Sequence, residues 1–351
     1  MKNKKIWLNI IFVAIILGIL LFYVFKQGDV GEIINVIKTA NYAYIGIAVG
    51  LIGIYIFATW ASLDVILRLK AKISFADSFN IANCGHFYNG ITPFASGGQP
   101  FQMYYYSKVK VEPNVSASVV MMNFIIHQSV LTILSILALV FYFQELVVTA
   151  NVAFKAAIIT GFSINTLILV LLIAISISKK VKTFFLWLVG TLYKLKPLRK
   201  KREATIAKAE SFFINFQSGF KEIFSHAGVL ILTVVYKVIS FLAYFIIPFF
   251  IFKALGINVG AEKIGFIIWM TAFAFVIMSF MPTPGASGGA EWAFNEAFIG
   301  LAGMTQSIAL SAILLWRFLT YYLLMLLGAI SAIFVKKRKE EDIDENCDIH
   351  G

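Results

Sequence analysis

The chain alternates long apolar stretches with shorter segments that carry most of its polar and charged residues. An α-helix needs roughly 20 apolar residues to cross a hydrocarbon core of about 30 Å. Stretches of this kind predict membrane-spanning helices. The predicted spans cover residues 6–25, 43–67, 115–143, 155–178, 229–252 and 307–335.

An eight-residue motif occurs twice and interrupts the apolar pattern both times. The segment from Thr92 to Gln99 and the segment from Thr283 to Ala290 are identical at six of eight positions. Proline and glycine break helices, and small side chains let backbones or a ligand approach closely. Paired interruptions at corresponding places in two halves indicate a transporter's binding site near the middle of the membrane.

The sequence around the first motif predicts a re-entrant hairpin of two half-helices. Residues 73–106 are too few for two crossings, which need about 40 residues. Backbone of this kind is tolerated inside a membrane only where protein buries it or where it lines a wet cavity. Around the second motif, residues 264–281 are apolar enough either to cross fully or to form one arm of a second hairpin. The first hairpin also carries polar residues unsuited to lipid, namely Asp77, Asn80, Asn83, His86 and Asn89.

The distribution of basic residues predicts the orientation of the chain. Lysine and arginine concentrate at the N-terminus, in the loop 179–225 and at residues 336–339, and such segments face the cytoplasm. Both termini are then cytoplasmic, and the two hairpins enter from opposite faces. The predicted fold is an all-α polytopic membrane protein. It has about six full spans and two re-entrant broken-helix hairpins, related as an inverted repeat.

This topology predicts one integral membrane domain over residues 1–335, with repeat halves at about 43–143 and 229–335. The loop 179–225 is an amphipathic cytoplasmic element, and residues 336–351 form a charged cytoplasmic tail. The composition agrees, since 60% of residues are hydrophobic and only 14% are charged, against about 25% charged in soluble domains. The net charge of +12 lies at the membrane edges, which indicates orientation signals and contacts with anionic lipids. We therefore predict a multi-pass protein of the cell membrane that does not bind nucleic acid.

Three ionisable residues within the apolar segments are candidates for function, because charges at that depth are costly. Glu291 either stabilises a helix N-terminus or serves as counter-ion for a cationic headgroup or as proton acceptor. Arg317 either pairs with Glu291 or Glu296 or binds a lipid phosphate. Lys237 either extends its flexible stem towards the interface or joins Arg317 at a phosphate.

Polar residues near the two motifs complete the predicted site. His127 is either an interhelical hydrogen-bonding residue or part of a proton relay, and Gln99 is a neutral counterpart of Glu291. The glycine pairs of the motifs can present N–H groups to an anion. The predicted substrate-binding residues are Asn89, Ser96, Gly97, Gly98, Gln99, His127, Lys237, Ser287, Gly288, Gly289, Glu291 and Arg317. No catalytic residue, metal site or cofactor is predicted, because no corresponding motif is present.

At these motifs the chain resembles the membrane region of the lysylphosphatidylglycerol synthase/flippase family, the multiple peptide resistance factors. The resemblance is carried by Asn89-Gly90, by residues 92–99 and by residues 282–289 with Glu291. It implies a flippase-like membrane domain that moves aminoacylated phospholipid between leaflets. In large members a separate soluble domain makes that lipid, and this chain ends soon after its last predicted span.

The leading hypothesis is therefore a translocase for an anionic or aminoacylated phospholipid such as lysylphosphatidylglycerol. Two alternatives stay open: a phosphatidylglycerol lysyltransferase, and a non-transporting protein that hands lipid to a separate synthase or glycosyltransferase. The expected partner is membrane phospholipid, and a homo-oligomer is also compatible with the sequence.

Overall fold

The computed structural model describes residues 30–192 and 202–335, and all regular secondary structure in these residues is helical. The predicted span 6–25 and the predicted tail 336–351 lie outside the described residues. We number the helices in chain order. They are α1 Val30–Lys38, α2 Tyr42–Leu67, α3 Phe75–Gly90, α4 Gly98–Lys108, α5 Pro113–Thr149, α6 Val152–Ile177, α7 Lys179–Leu192, α8 Arg202–Ser225, α9 Ala227–Phe245, α10 Ile247–Ala254, α11 Ile264–Met278, α12 Gly289–Phe298 and α13 Gln306–Arg317.

Within the described residues, six helical segments are long and apolar enough to cross a membrane. Five of them match predicted spans. The sixth is Ala261–Met278, which consists of a short 3₁₀ turn and α11. The protein is a multi-pass helical membrane protein. The candidate spans are Tyr42–Leu67, Pro113–Gln144, Val152–Ile177, Ala227–Ala254, Ala261–Met278 and Gln306–Val335.

Both sequence motifs form breaks between two helices. The first break is the 3₁₀ turn Pro93–Ala95 between α3 and α4, and the second is the 3₁₀ turn Pro284–Ala286 between α11 and α12. We call these the first tip and the second tip. Neither α3 nor α4 is among the helices that are long and apolar enough to cross a membrane. This agrees with the prediction that they are the two half-helices of a hairpin. The opposite entry of the two hairpins, and hence the inverted repeat, stays a prediction.

The two tips pack against each other. Around them, α2 packs along α9 and α10, and α5 packs against α6, α9 and α11. The last span packs through α13 against α1, α10 and α12. Side-chain caps from Asn41, Asn151 and Thr305 begin three of these helices, since each accepts an otherwise unpaired N–H of the first turn. These helix contacts surround the two tips and hold them in position.

The predicted amphipathic loop contains α7 and α8. Helix α8 packs against α5 and α6, and its Glu222 forms an ion pair with Lys70, which follows α2. This helix is therefore attached to the membrane bundle through its described residues.

Candidate functional site

The two tips repeat each other in backbone conformation as well as in sequence. Phe94 has φ 56° and ψ 19°, and the matching Gly285 has φ 59° and ψ 20°. The next residue is also left-handed in both copies, with φ 48° at Ala95 and φ 54° at Ala286. Side chains beyond glycine rarely adopt this region, and such strain costs of order 1–3 kcal/mol and clusters at functional sites. The same unusual turn is therefore built twice.

The serine of each motif closes its own tip. The Ser96 hydroxyl donates to the Pro93 carbonyl at 2.9 Å, and the Ser287 hydroxyl donates to the Pro284 carbonyl at 3.0 Å. Because these bonds are equivalent, the repeated serine has a structural role in both copies.

The glycine pair of the first motif uses its N–H groups inside the hairpin. Gly97 N–H donates to the Thr92 hydroxyl at 2.8 Å, and Gly98 N–H donates to the Asn89 side-chain oxygen at 2.7 Å. A Cβ at Gly98 would lie 2.5 Å from that oxygen. These N–H groups therefore do not face an open anion site, contrary to the role predicted for them, and Asn89 holds the start of α4.

The second motif places a carboxylate where the first has a neutral residue. Gly288 N–H donates to Glu291 Oε2 at 2.7 Å, so this group also has an internal acceptor. Gly289 lies against Met281, where an added Cβ would meet the sulfur at 2.6 Å. Gly289 thus allows the start of α12 to pack closely against Met281, and Gly288 donates its N–H to Glu291.

Glu291 and Arg317 form a buried ion pair. Glu291 Oε1 lies 2.8 Å from Arg317 Nε, and the two residues are 4% and 1% exposed. Arg317 Nη2 also donates to the Ser287 hydroxyl at 3.3 Å. Of the two predicted partners the arginine thus takes Glu291, whereas Glu296 accepts a hydrogen bond from Asn151. The pair connects the last span to the second tip.

Tyr321 connects the same arginine to the first hairpin. The Arg317 guanidinium lies 4.3 Å from the centre of the Tyr321 ring, a cation–π contact. The Tyr321 hydroxyl donates to the Gly90 carbonyl at 3.0 Å, and its ring packs on Gly285. Tyr321 lies in a π-helical turn, Phe318–Leu323, and such turns are frequent at functional sites. One side chain therefore touches both hairpins and the charged pair.

A cavity of about 180 Å³ lies beside these contacts. Both hairpins, α2, α9 and the last span contribute to its lining, and Arg317 is the charged residue that reaches it. The other polar or aromatic lining residues are Tyr55, His86, Asn89, Tyr244, Phe275, Ser279, Thr320 and Tyr321. A larger cavity of about 420 Å³ lies between α5, α6, α8 and α9, and its lining is apolar apart from Ser129. Of these two cavities, the smaller one is lined by a charged residue.

Lys237 lies on α9 outside the lining of this cavity. It is 3% exposed. His127 packs its ring 4.8 Å from that of Phe241 and has no hydrogen bond among the described residues, so the predicted interhelical bond is absent there. Gln99 is half-buried near the start of α4. The structure thus brings Glu291, Arg317 and the motif residues together, with Lys237 and His127 on a neighbouring helix pair.

The sequence did not identify Tyr321, Tyr55 or Tyr244 as site residues. These tyrosines could have been suspected only because they lie within apolar spans, where a phenolic hydroxyl requires a hydrogen-bond partner. Near the end of α2, Asp64 forms an ion pair with Arg68, with 2.5 Å between Oδ2 and Nε.

A multi-pass helical bundle whose two glycine-bearing breaks meet beside a buried ion pair defines a membrane protein with an internal polar site. The chain belongs to the family described as the lysylphosphatidylglycerol synthase TM region, which matches residues 7–328. It is 30% identical over 319 residues to a UPF0104 membrane protein of Archaeoglobus fulgidus, covering 88% of this chain and 91% of that protein. No solved structure matches it. The predicted family is confirmed.

Proposed function

We propose that the protein is a lipid translocase of the cell membrane that moves a phospholipid with an anionic phosphate between leaflets. The phosphate headgroup passes between the two tips while the acyl chains stay in the surrounding hydrocarbon. Both termini face the cytoplasm in this proposal, as the distribution of basic residues predicts.

The meeting of the two tips beside the Glu291–Arg317 pair carries the proposal. Breaks of this kind occur inside a membrane only where they are buried or line a cavity, and here a cavity of about 180 Å³ adjoins them. Arg317 combines a fixed positive charge with a planar set of donors suited to phosphate. The family assignment supports a lipid substrate without specifying which lipid.

The contacts between the tips suggest how a passage opens. Tyr321 bonds to Gly90 and packs on Gly285, so separating the hairpins requires these contacts to break. Rocking of one repeat half against the other would open the site to each leaflet in turn.

Reconstitution in liposomes tests the proposal. Purified protein is inserted into vesicles that contain trace fluorescent phosphatidylglycerol in both leaflets, and a membrane-impermeant quencher is then added. We expect the protein to expose inner-leaflet label that stays protected in empty vesicles, and Arg317→Gln to slow this exposure at least tenfold relative to Lys38→Gln. Lys38 is exposed at the end of α1, so its variant is the matched control.

The assay is repeated with labelled lysylphosphatidylglycerol and polyprenyl phosphate. If the inner-leaflet label of all three lipids stays as well protected from the quencher as in empty vesicles, the translocase is refuted. Appearance of lysylphosphatidylglycerol from phosphatidylglycerol and lysyl-tRNA in the same vesicles would instead favour the lysyltransferase alternative.

A further inference from the structure

The larger cavity, of about 420 Å³, has a lining that suits only an apolar occupant. The lining comes from α5, α6, α8 and α9 and is apolar apart from Ser129. The Ser129 hydroxyl already donates to the Ile125 carbonyl at 2.8 Å. Because a buried water needs about two to four polar partners, apolar cavities stay dry. The cavity therefore offers little to water or to a polar ligand.

This cavity lies at one end of the membrane spans. Ile173 and Ile177 belong to the last two turns of α6, and Leu230 belongs to the first two turns of α9. Between these spans lie α7 and α8, neither of which is a candidate span. The two span ends therefore lie at the same membrane edge, which the basic residues predict to be the cytoplasmic one.

Specific contacts hold α8 in its place beside the cavity. Gln217 Nε2 donates to the Ile175 carbonyl of α6 at 2.9 Å. Gly219 lies so close to α5 that an added Cβ would overlap the Ser118 hydroxyl, and Glu222 forms its ion pair with the segment after α2. Because these contacts attach α8 to three neighbours, the helix cannot simply move inward. An empty gap would forfeit the dispersion contacts of its lining.

The cavity opens towards the outside of the bundle. Ile177 and Phe224 line it and are 65% and 53% exposed. At the edge of a membrane, the apolar medium that reaches such an opening is the acyl chains of the lipids. An apolar protein cavity of roughly 150 Å³ holds one benzene molecule. The volume of about 420 Å³ thus has room for roughly 16–18 carbon atoms, the size of a fatty acyl chain.

The sequence that joins α6 to α9 is strongly basic. Residues 179–225 contain 11 lysines and arginines against 3 glutamates, and basic segments at a membrane surface attract anionic headgroups. We propose that the larger cavity binds one acyl chain of an anionic phospholipid from the cytoplasmic leaflet, with the headgroup at this basic segment. The cavity shares no lining residue with the one beside the tips. The inference is therefore independent of the proposed translocation.

Photolabelling from the acyl chain tests this inference. The protein is reconstituted with trace phosphatidylglycerol that carries a diazirine near the end of one acyl chain, and labelled residues are identified by mass spectrometry after irradiation. Met122 and Ile126 line the cavity and are 2% and 6% exposed, so lipid outside the bundle does not reach them. We expect label at both, and about threefold less from phosphatidylcholine with the same chain. Both lipids should label Val140 equally, since it is 67% exposed on α5.

Filling the cavity should remove the label inside it. Val234→Trp places an indole in the cavity, whereas Val235→Trp changes a neighbour that is 44% exposed and outside the lining. We expect Val234→Trp to lose about tenfold of the label in the cavity, because a close-packed interior leaves no room for the chain. Val235→Trp should retain it, and the outer face of α5 should be labelled equally in both. Leu230→Trp, with Ile231→Trp as its exposed control, provides a second pair on the same helix.

Absence of label at Met122 and Ile126 in the wild type would overturn the inference, and native mass spectrometry of the same sample would then show whether a second copy covers the opening. Undiminished label in a folded cavity-filling variant would overturn it as well. Equal labelling of the cavity by both lipids would contradict the anionic headgroup. Photolabelling reports where an acyl chain lies and not whether a headgroup crosses the membrane. A failed translocation assay would therefore leave this inference standing.

Discussion

At the scale of single residues, the site combines a neutral ion pair with strained and closely packed neighbours. Glu291 accepts a hydrogen bond from Gly288 at the N-terminus of α12 and also pairs with Arg317. The helix-terminus role predicted for Glu291 and the ion pair predicted for Arg317 are therefore both present. Tyr321 then connects that pair to Gly90 of the first hairpin. The chemistry of the site thus depends on a few side chains whose partners come from separate helices.

Removing one member of the pair should therefore cost more than removing both. We expect Glu291→Gln to lower the free energy of unfolding by about 3–5 kcal/mol, because it leaves the Arg317 charge buried and unpaired. The double variant Glu291→Gln/Arg317→Gln should be more stable than the single one, and Glu296→Gln should change little. Thermal unfolding in detergent measures all three. Equal stability of the single and double variants would contradict a coupled pair.

At the scale of elements, the sequence predicted the breaks but not their conformation. Proline and glycine in the repeated motif were sufficient to predict two interrupted helices, and the predicted family was correct. The left-handed conformation of Phe94 could not be predicted, because a phenylalanine gives no local preference for it. Tyr321 was missed for a related reason: its contacts arise only when α13 and its π-helical turn pack beside both tips.

Gly285 offers a test of this packing. A Cβ at Gly285 would lie 2.2 Å from the Tyr321 ring, whereas Gly256 has φ 79° and open space around it. We expect Gly256→Ala to lose about 1–2 kcal/mol from backbone strain alone. Gly285→Ala should lose clearly more, because Tyr321 must move away from Gly90. Thermal unfolding compares the two variants. Equal losses would mean that Tyr321 does not hold the tips together.

At the scale of the whole molecule, the two tips pack against each other among the candidate spans. The described part of the bundle includes Ala261–Met278, which is long and apolar enough to cross a membrane; its full crossing, which the sequence left open, stays a prediction. The equivalent left-handed turns at both tips extend the sequence repeat into three dimensions. If the hairpins enter from opposite faces, as predicted, their contact separates the two leaflets, and a lipid headgroup can cross only when they part.

The most direct measurement locks the two tips together and follows lipid movement. Cys84 and Cys347 are first replaced by alanine, and Ala95→Cys and Ala286→Cys are then introduced, since both tips pack against each other. A short bifunctional thiol reagent that a reductant reverses should reduce phosphatidylglycerol movement to the level of empty vesicles, and reduction should restore it, while each single-cysteine variant stays active. Undiminished movement in fully cross-linked protein would show that the headgroup does not pass between the tips.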